Sequence, residues 1–96
     1  MATFITLLNF TDQGIRSVKD SPDRFEAFRE MAGHLGVTVR SVYWTVGNYD
    51  GVVIVEGADE VVTSALLKLG SLGNVRSQTL RTFSEDEMKR IITKMP

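Results

Sequence analysis

Residues 3–10 read TFITLLNF, apolar, β-branched and aromatic with near-alternation, which predicts a first strand. Thr11 and Asp12 then offer capping oxygens to a short helical turn carrying Ile15 and Val18. Ser21 followed by Pro22 is a cleaner helix start: serine supplies an N-cap oxygen, and proline at the first helical position lacks an N–H that would go unpaired anyway. Phe25, Phe28, Ala32 and Leu35 follow at helical spacing along one stripe, and Gly36 is placed to end the helix in a left-handed cap. Residues 37–46 (VTVRSVYWTV) and 52–55 (VVIV) return to strand patterning. Between them Gly47-Asn48-Tyr49-Asp50-Gly51 supplies the residues that tolerate positive φ, so the two strands are expected to form a hairpin. Asp59 is placed to cap a second main helix with Val61, Val62, Ala65, Leu66 and Leu69 on its apolar face, before Gly70 and Gly73 interrupt it. Residues 75–83 (VRSQTLRTF) predict a fourth strand, polar enough for a sheet edge. Ser84 and Glu87 then have the spacing of a capping box, ahead of a final helix striped by Met88, Ile91, Ile92 and Met95.

The order β-α-β-β-α-β-α predicts one α+β domain over residues 1–96: a ferredoxin-like βαββαβ sandwich with a four-stranded antiparallel sheet and an extra C-terminal helix. Right-handed crossovers put both main helices on one face of that sheet. Covering one face should leave inside/outside alternation in the strands. Instead VVIV, Phe4-Ile5 and Leu7-Leu8 place apolar groups on both faces. At roughly 25 cal/mol per Å² of apolar area, an uncovered patch is a substantial loss and a liability in a soluble monomer. The final helix can cover part of it, and the equivalent sheet of a second copy covers it completely. A homo-oligomer built on dimers that pair through the open sheet face, as in dimeric α/β barrels, is therefore expected.

Composition narrows the function classes. The 96 residues carry 43% apolar and 24% charged positions, the balance of one ordinary globular core. Lys+Arg 11 against Asp+Glu 12, a formal charge of -1, argues against a nucleic-acid partner, whose affinity comes from surplus basic residues. RNA-recognition domains share this strand order, but their third strand bears stacking aromatics where this chain has VVIV. With Cys 0, disulfides, thiolate nucleophiles and cysteine metal sites are excluded. No apolar run approaches the ~18 residues of a membrane span, and no basic segment followed by an apolar stretch opens the chain, so a cytoplasmic location without membrane partners is expected. Phosphate-cradling glycine loops and the dinucleotide fingerprint are missing, and no cofactor is expected.

Gly47-Asn48-Tyr49-Asp50, set between the aromatic residues 42–45 (VYWT) and the apolar residues 52–56 (VVIVE), resembles the motif for which the GYD-domain family is named. Two further segments are similar to that family's pattern: residues 11–16 (TDQGIR) followed by Ser21-Pro22, and residues 72–76 (LGNVR) leading to 79–83 (TLRTF). The resemblance spans nearly the whole chain and implies a ferredoxin-like subunit of small bacterial or archaeal proteins without a well-established general activity. Gly51 departs from the pattern, in which a bulkier residue is more usual.

Tyr49 and Asp50 are the foremost candidate site residues. A phenol and a carboxylate on a rigid hairpin can orient a small ligand or act as acid and base. Equally, Asp50 can accept backbone amides of the turn while Tyr49 packs on the sheet edge with its hydroxyl in water. His34 is the only histidine, spaced i, i+4 from Glu30; that pair is read as a solvated surface contact, and no metal site is expected. Tyr43 and Trp44 point to opposite faces, Trp44 being the candidate cleft wall. Among the strand arginines Arg40, Arg76 and Arg81, Arg81 is the candidate anion ligand, because its parity with Val75 and Phe83 suggests a half-buried guanidinium in need of a partner. Three functional readings follow. The leading one is a small oligomeric module that binds a small molecule or serves a structural or regulatory role. The second is a cofactor-independent enzyme of the dimeric α/β-barrel type, monooxygenase- or dehydratase-like, with Tyr49 and Asp50 as polar groups, His34 as proton shuttle and Trp44 as cavity wall. The third is a regulatory protein that docks on an enzyme or transcription factor through a helix face.

Overall fold

The computed structural model describes residues 2–96. Its elements are β1 (Ala2–Phe10), α1 (Asp12–Arg16), a 3-10 turn (Val18–Asp20), α2 (Ser21–His34), β2 (Thr38–Trp44), β3 (Gly51–Gly57), α3 (Asp59–Ser71), β4 (Val75–Thr82) and α4 (Glu85–Ile92). The four strands form one antiparallel sheet in the order β2-β3-β1-β4, the order the ferredoxin-like reading requires.

The pleat divides the apolar residues of the strands between two faces. On one face Leu8, Val53, Val55 and Val75 are buried and join Phe25, Phe28 and Ala32 of α2 and Val62, Ala65 and Leu69 of α3 in a single core. Strand alternation turns Ile5, Leu7, Val52 and Ile54 to the other face, in register with Tyr43 of β2 and Leu80 of β4. No helix is packed over that second face: Tyr43 is 60% exposed and Leu80 42%. α4 does not close over it either. None of its residues is buried; Met88, Ile91 and Ile92 are exposed, and Met95, expected on the same helical stripe, lies beyond the helix, which ends at Ile92, and is exposed too.

Several local readings are corrected. β2 stops at Trp44, so Val46 lies outside the strand and is fully exposed, while β3 is longer at both ends than residues 52–55. Ser21 does not cap α2. The N-cap position falls on Asp20 without a side-chain bond, and the buried Ser21 hydroxyl accepts a hydrogen bond from Trp44 Nε1 at 3.0 Å instead. Asp59 does not cap α3; that position belongs to Ala58, and Asp59 contributes its charge to the first turn. Thr11 does cap α1, its hydroxyl accepting from Gly14 N–H at 3.1 Å, and Gly36 takes the left-handed conformation at φ 84°. Gly51 is buried, and a Cβ there would lie 3.2 Å from the Tyr43 carbonyl, which makes glycine's small size useful at the hairpin exit.

The Ser84 capping box forms as read. Glu87 N–H donates to Ser84 Oγ at 3.1 Å, and Ser84 N–H donates to Glu87 Oε1 at 2.9 Å. That backbone bond, with a smaller contribution from the serine side chain, holds the Glu87 carboxyl below its ordinary value. A depressed folded-state value means the cap stabilises α4 above the unfolded carboxylate range and is lost as pH falls through the folded value. Acidification from neutral pH should therefore fray α4 at its start, read as coupled movement of the Glu87 side-chain and α4 Cα shifts in a ¹³C NMR titration. Ser84→Ala, which keeps the backbone donor, should weaken the coupling, and Glu87→Gln should abolish it.

Gly14, in α1, makes the closest backbone approach of any glycine, since a Cβ would fall 1.9 Å from the Asn74 carbonyl oxygen. Gly14→Ala is expected to cost about 2 kcal/mol and to lower the melting temperature by roughly 10 °C. Gly33, in α2 with nothing within 4 Å of an added methyl, gives the opposite sign. Gly33→Ala should stabilise by about 0.5–1 kcal/mol in the same calorimetric scan.

Candidate functional site

The segments singled out as motifs converge on the C-terminal end of β1. Thr11 N–H donates to the Asn74 carbonyl at 3.1 Å, and Thr11 Oγ donates to the Gly73 carbonyl at 2.5 Å. Gln13 Nε2 adds bonds to the Leu72 carbonyl and to Asn74 Oδ1, each 3.0 Å. The α1 turn is thus sewn to the loop that follows α3, where Gly73 turns the chain at φ 84°. Arg24 of α2 ties down the far side of that turn, donating to the carbonyl of Ser17 at 2.8 Å, to its hydroxyl at 3.1 Å and to the Gly14 carbonyl at 3.3 Å.

Asp50 attaches the hairpin to the same place. Its N–H donates to the Leu8 carbonyl at 2.8 Å, as in a strand, but its own carbonyl turns back to accept from Thr45 N–H at 2.9 Å. Where the backbone leaves the ladder the side chain replaces it: Asp50 Oδ2 accepts from Phe10 N–H at 2.8 Å. Asp50 therefore accepts a backbone amide of β1 rather than one within the turn. Thr45 Oγ fixes the loop further by donating to the Tyr49 carbonyl at 2.6 Å. The Tyr49 hydroxyl donates to Gln78 Oε1 on β4 at 3.0 Å. Gln78 pairs with Leu7, whose other neighbour is Val52, so the Tyr49 side chain spans β1 to reach it on the open face.

The other candidates are dispersed. Trp44 lies on the helix side at the β2 edge, its ring edge-on to Phe25 at 5.5 Å and its N–H on Ser21, while Tyr43 takes the open face. Arg81 has the expected strand parity but is exposed rather than half-buried. It packs between aromatic rings, its guanidinium 4.4 Å from the Phe83 ring centre and 5.6 Å from that of Phe4; it donates to the Thr82 carbonyl, and its charge adds a minor part to the lowering of the Glu87 carboxyl. His34 is exposed at the end of α2, where the chain turns into β2. By sheet register that is the end opposite Tyr49 and Asp50, about 20 Å away along the strands. The structure thus joins Tyr49 to Asp50, and neither to His34 or Arg81. Among the described residues no three His, Asp or Glu side chains gather as a metal set, and no helix is long and apolar enough to cross a membrane.

Sequence reading missed a cavity of about 250 Å³ beside the motif junction, where α2 and α3 splay apart. Phe10, Phe25, Phe28, Met31, Leu69 and Val75 form its apolar wall; Arg24, Lys68 and Asn74 also line it. The sequence signal was weak: Lys68 interrupts an otherwise apolar run in residues 65–69, a pattern equally expected of any solvent-facing helix position.

Truncating the Asp50 carboxylate should leave Phe10 N–H without its acceptor. Asp50→Ala is expected to cost about 1–3 kcal/mol in urea unfolding, Asp50→Asn to recover most of that through its remaining carbonyl oxygen, and Tyr49→Phe to stay within about 0.5 kcal/mol of the parent.

The model of the GYD domain matches residues 4–92. A Thermus thermophilus protein described as "Glutamine synthetase and cystathionine beta-lyase binding protein" is 39% identical over 82 residues, covering 83% of this chain and 86% of the relative. The crystal structure of TTHA0845, also from Thermus thermophilus, superposes with a TM-score of 0.51 at 29% identity, over 88% of this chain and 95% of that one. The hairpin that bears Tyr49 and Asp50, and both segments bonded around β1, lie inside the matched region, and the chain belongs to the GYD-domain family.

Proposed function

We propose that this protein is a small cytoplasmic protein-binding module that pairs with a second copy through the open face of its sheet and, as an oligomer, docks on a metabolic enzyme. The observation that carries the proposal is the apolar surface without a cover: half-buried Ile5, Leu7, Val52 and Ile54 with exposed Tyr43 and Leu80 across the sheet, and exposed Met88, Ile91 and Ile92 of α4 with Met95 just beyond it. Apolar patches of this kind on a protein surface commonly mark interaction sites.

Magnitudes bear on how two copies would meet. Four strands about 4.8 Å apart and about seven residues long present a face of roughly 450 Å², short of the ~800 Å² each partner buries in a standard interface. The α4 stripe supplies the remainder if each copy lays its helix along the other. That arrangement is the dimeric barrel association expected from the patterning, with α4 as a reciprocal clasp. Tyr49, held across β1 by Gln78, then lies within the pairing surface, and Asp50 fixes the loop that presents it.

A protein rather than a metabolite as the principal partner is supported by the relative's description, which names glutamine synthetase and cystathionine beta-lyase as what that protein binds. Tyr49, Asp50 and His34 would meet in a single acid–base site only if one end of the sheet reached the other, so proton transfer is not part of the proposal.

Ile54→Glu, which places a charge at the centre of the open face, is expected to convert the assembly to a monomer in size exclusion with light scattering while leaving the far-ultraviolet circular dichroism intact. In biolayer interferometry the parent chain should bind immobilised glutamine synthetase or cystathionine beta-lyase, and Ile54→Glu should bind at least about ten-fold more weakly. A parent chain that is monomeric and ignores both enzymes would remove the proposal.

A further inference from the structure

We infer that the cleft between α2 and α3 is a binding site for a small amphipathic carboxylate, an aryl or short acyl group seated in the cavity with its carboxylate at the cationic rim. The inference stands apart from sheet pairing, because the cleft opens on the helix side of the molecule.

The chemistry of the lining makes the case. The wall is aromatic and aliphatic, and the two charged residues that line the cavity, Arg24 and Lys68, are both cations; no carboxylate lines it. The ion pairs among the described residues are Arg29 with Glu26, Arg40 with Glu56 and Lys89 with Glu85, so neither Arg24 nor Lys68 is taken up in an ion pair. Arg24 is held in place by the neutral oxygens of Ser17 and Gly14, which orient it without cancelling its charge. Lys68 also borders the adjoining groove, which Glu30, Met31, His34 and Ser64 line with it; Glu30 does not line the cavity itself, and the flexible lysine stem can swing its ammonium over the mouth. Asn74 adds a donor, since its Oδ1 is engaged by Gln13 and its Nδ2 is left for a ligand. An apolar chamber bordered by two cations and no carboxylate favours an anion with a hydrophobic tail over either a free anion or a neutral hydrocarbon.

Size limits the ligand. Benzene fits an engineered 150 Å³ cavity, which scales to on the order of ten non-hydrogen atoms here. Phenylacetate and octanoate have that size. The site also has a route to the rest of the molecule: Asn74 bonds to Thr11 and Gln13, and Phe10, at the base of the cavity, bonds through its N–H to Asp50. A ligand that closes α3 on α2 therefore presses on the junction from which the hairpin is hung.

The test is a ¹⁵N–¹H NMR titration of the full chain with phenylacetate, octanoate and their neutral amides as probes. The carboxylates should move amides of α2, α3 and the loop at Gly73 and Asn74, with submillimolar dissociation constants and at least about ten-fold preference over the amides. Lys68→Met should cut that preference several-fold while leaving amide binding unchanged, and Ala27→Phe, which fills space where the cavity and the adjoining groove share a wall, should remove binding of both. Ile54→Glu should bind the probes as the parent does, which separates this result from any failure of sheet pairing. Equal binding of acid and amide, indifference to Lys68→Met, or no shifts up to about 10 mM would overturn the assignment.

Discussion

A four-stranded sheet that is apolar on both faces can be completed by its own helices on only one of them. Everything distinctive about this protein follows from that constraint. The chain spends α2 and α3 on the face of Leu8, Val53, Val55 and Val75, and its remaining helix, α4, leaves the body with no buried residue. The consequence shows in the molecule's shape, 50 × 31 × 18 Å with a radius of gyration of 14.6 Å. That exceeds the ~12–13 Å expected of a compact domain of this length. A helix whose three apolar residues, Met88, Ile91 and Ile92, are exposed is poorly explained as part of a finished monomer, and well explained as half of the proposed reciprocal contact.

The second organising feature is the junction at the end of β1. Three loops that lie far apart in sequence are bonded there: the α1 turn, the Gly73–Asn74 turn and the Asp50 hairpin. Most of these bonds engage backbone groups, so the side chains that make them act chiefly as replacements for ladder and cap partners. Asp50 is the plainest case, its carboxylate standing in for a strand carbonyl at the point where the chain turns away. This role accounts for an acid at that position without any catalytic chemistry. It also explains why the motif segments occur together: each supplies part of one knot that holds the hairpin over the sheet and borders the cleft between the helices.

The patterning of residues 3–10, 52–55 and 61–69 was enough to order the strands and to place apolar side chains on both faces, because burial alternates with a fixed period whatever the partners are. Capping was legible only where the bond is local. Ser84 with Glu87 and Thr11 with Gly14 close within one turn, and both form. Ser21 has the same local signature, yet a residue 23 positions later claims its hydroxyl, a competition that no window around Ser21 reveals. The same limit governs the site. Tyr49 and Asp50 were identifiable as unusual, but their partners Gln78 and Phe10 are brought in by sheet register. Arg81 carried the correct parity; its exposure follows from its place one residue from the end of β4, the edge strand of the sheet. The cavity between α2 and α3 was not legible at all, since the splay of two helices is set by packing on the sheet.

The central claim is that the bare face is covered by its counterpart in solution. Isotope-filtered NOE spectroscopy on a mixture of ¹³C-methyl-labelled and unlabelled chains reads this directly. The account predicts cross-peaks between copies at the methyls of Ile5, Leu7, Val52 and Ile54, with those of Ile91 and Ile92 joining them. Methyls on that face that show no contact between copies, and that a soluble paramagnetic agent broadens as freely as it does exposed Val46, would contradict it.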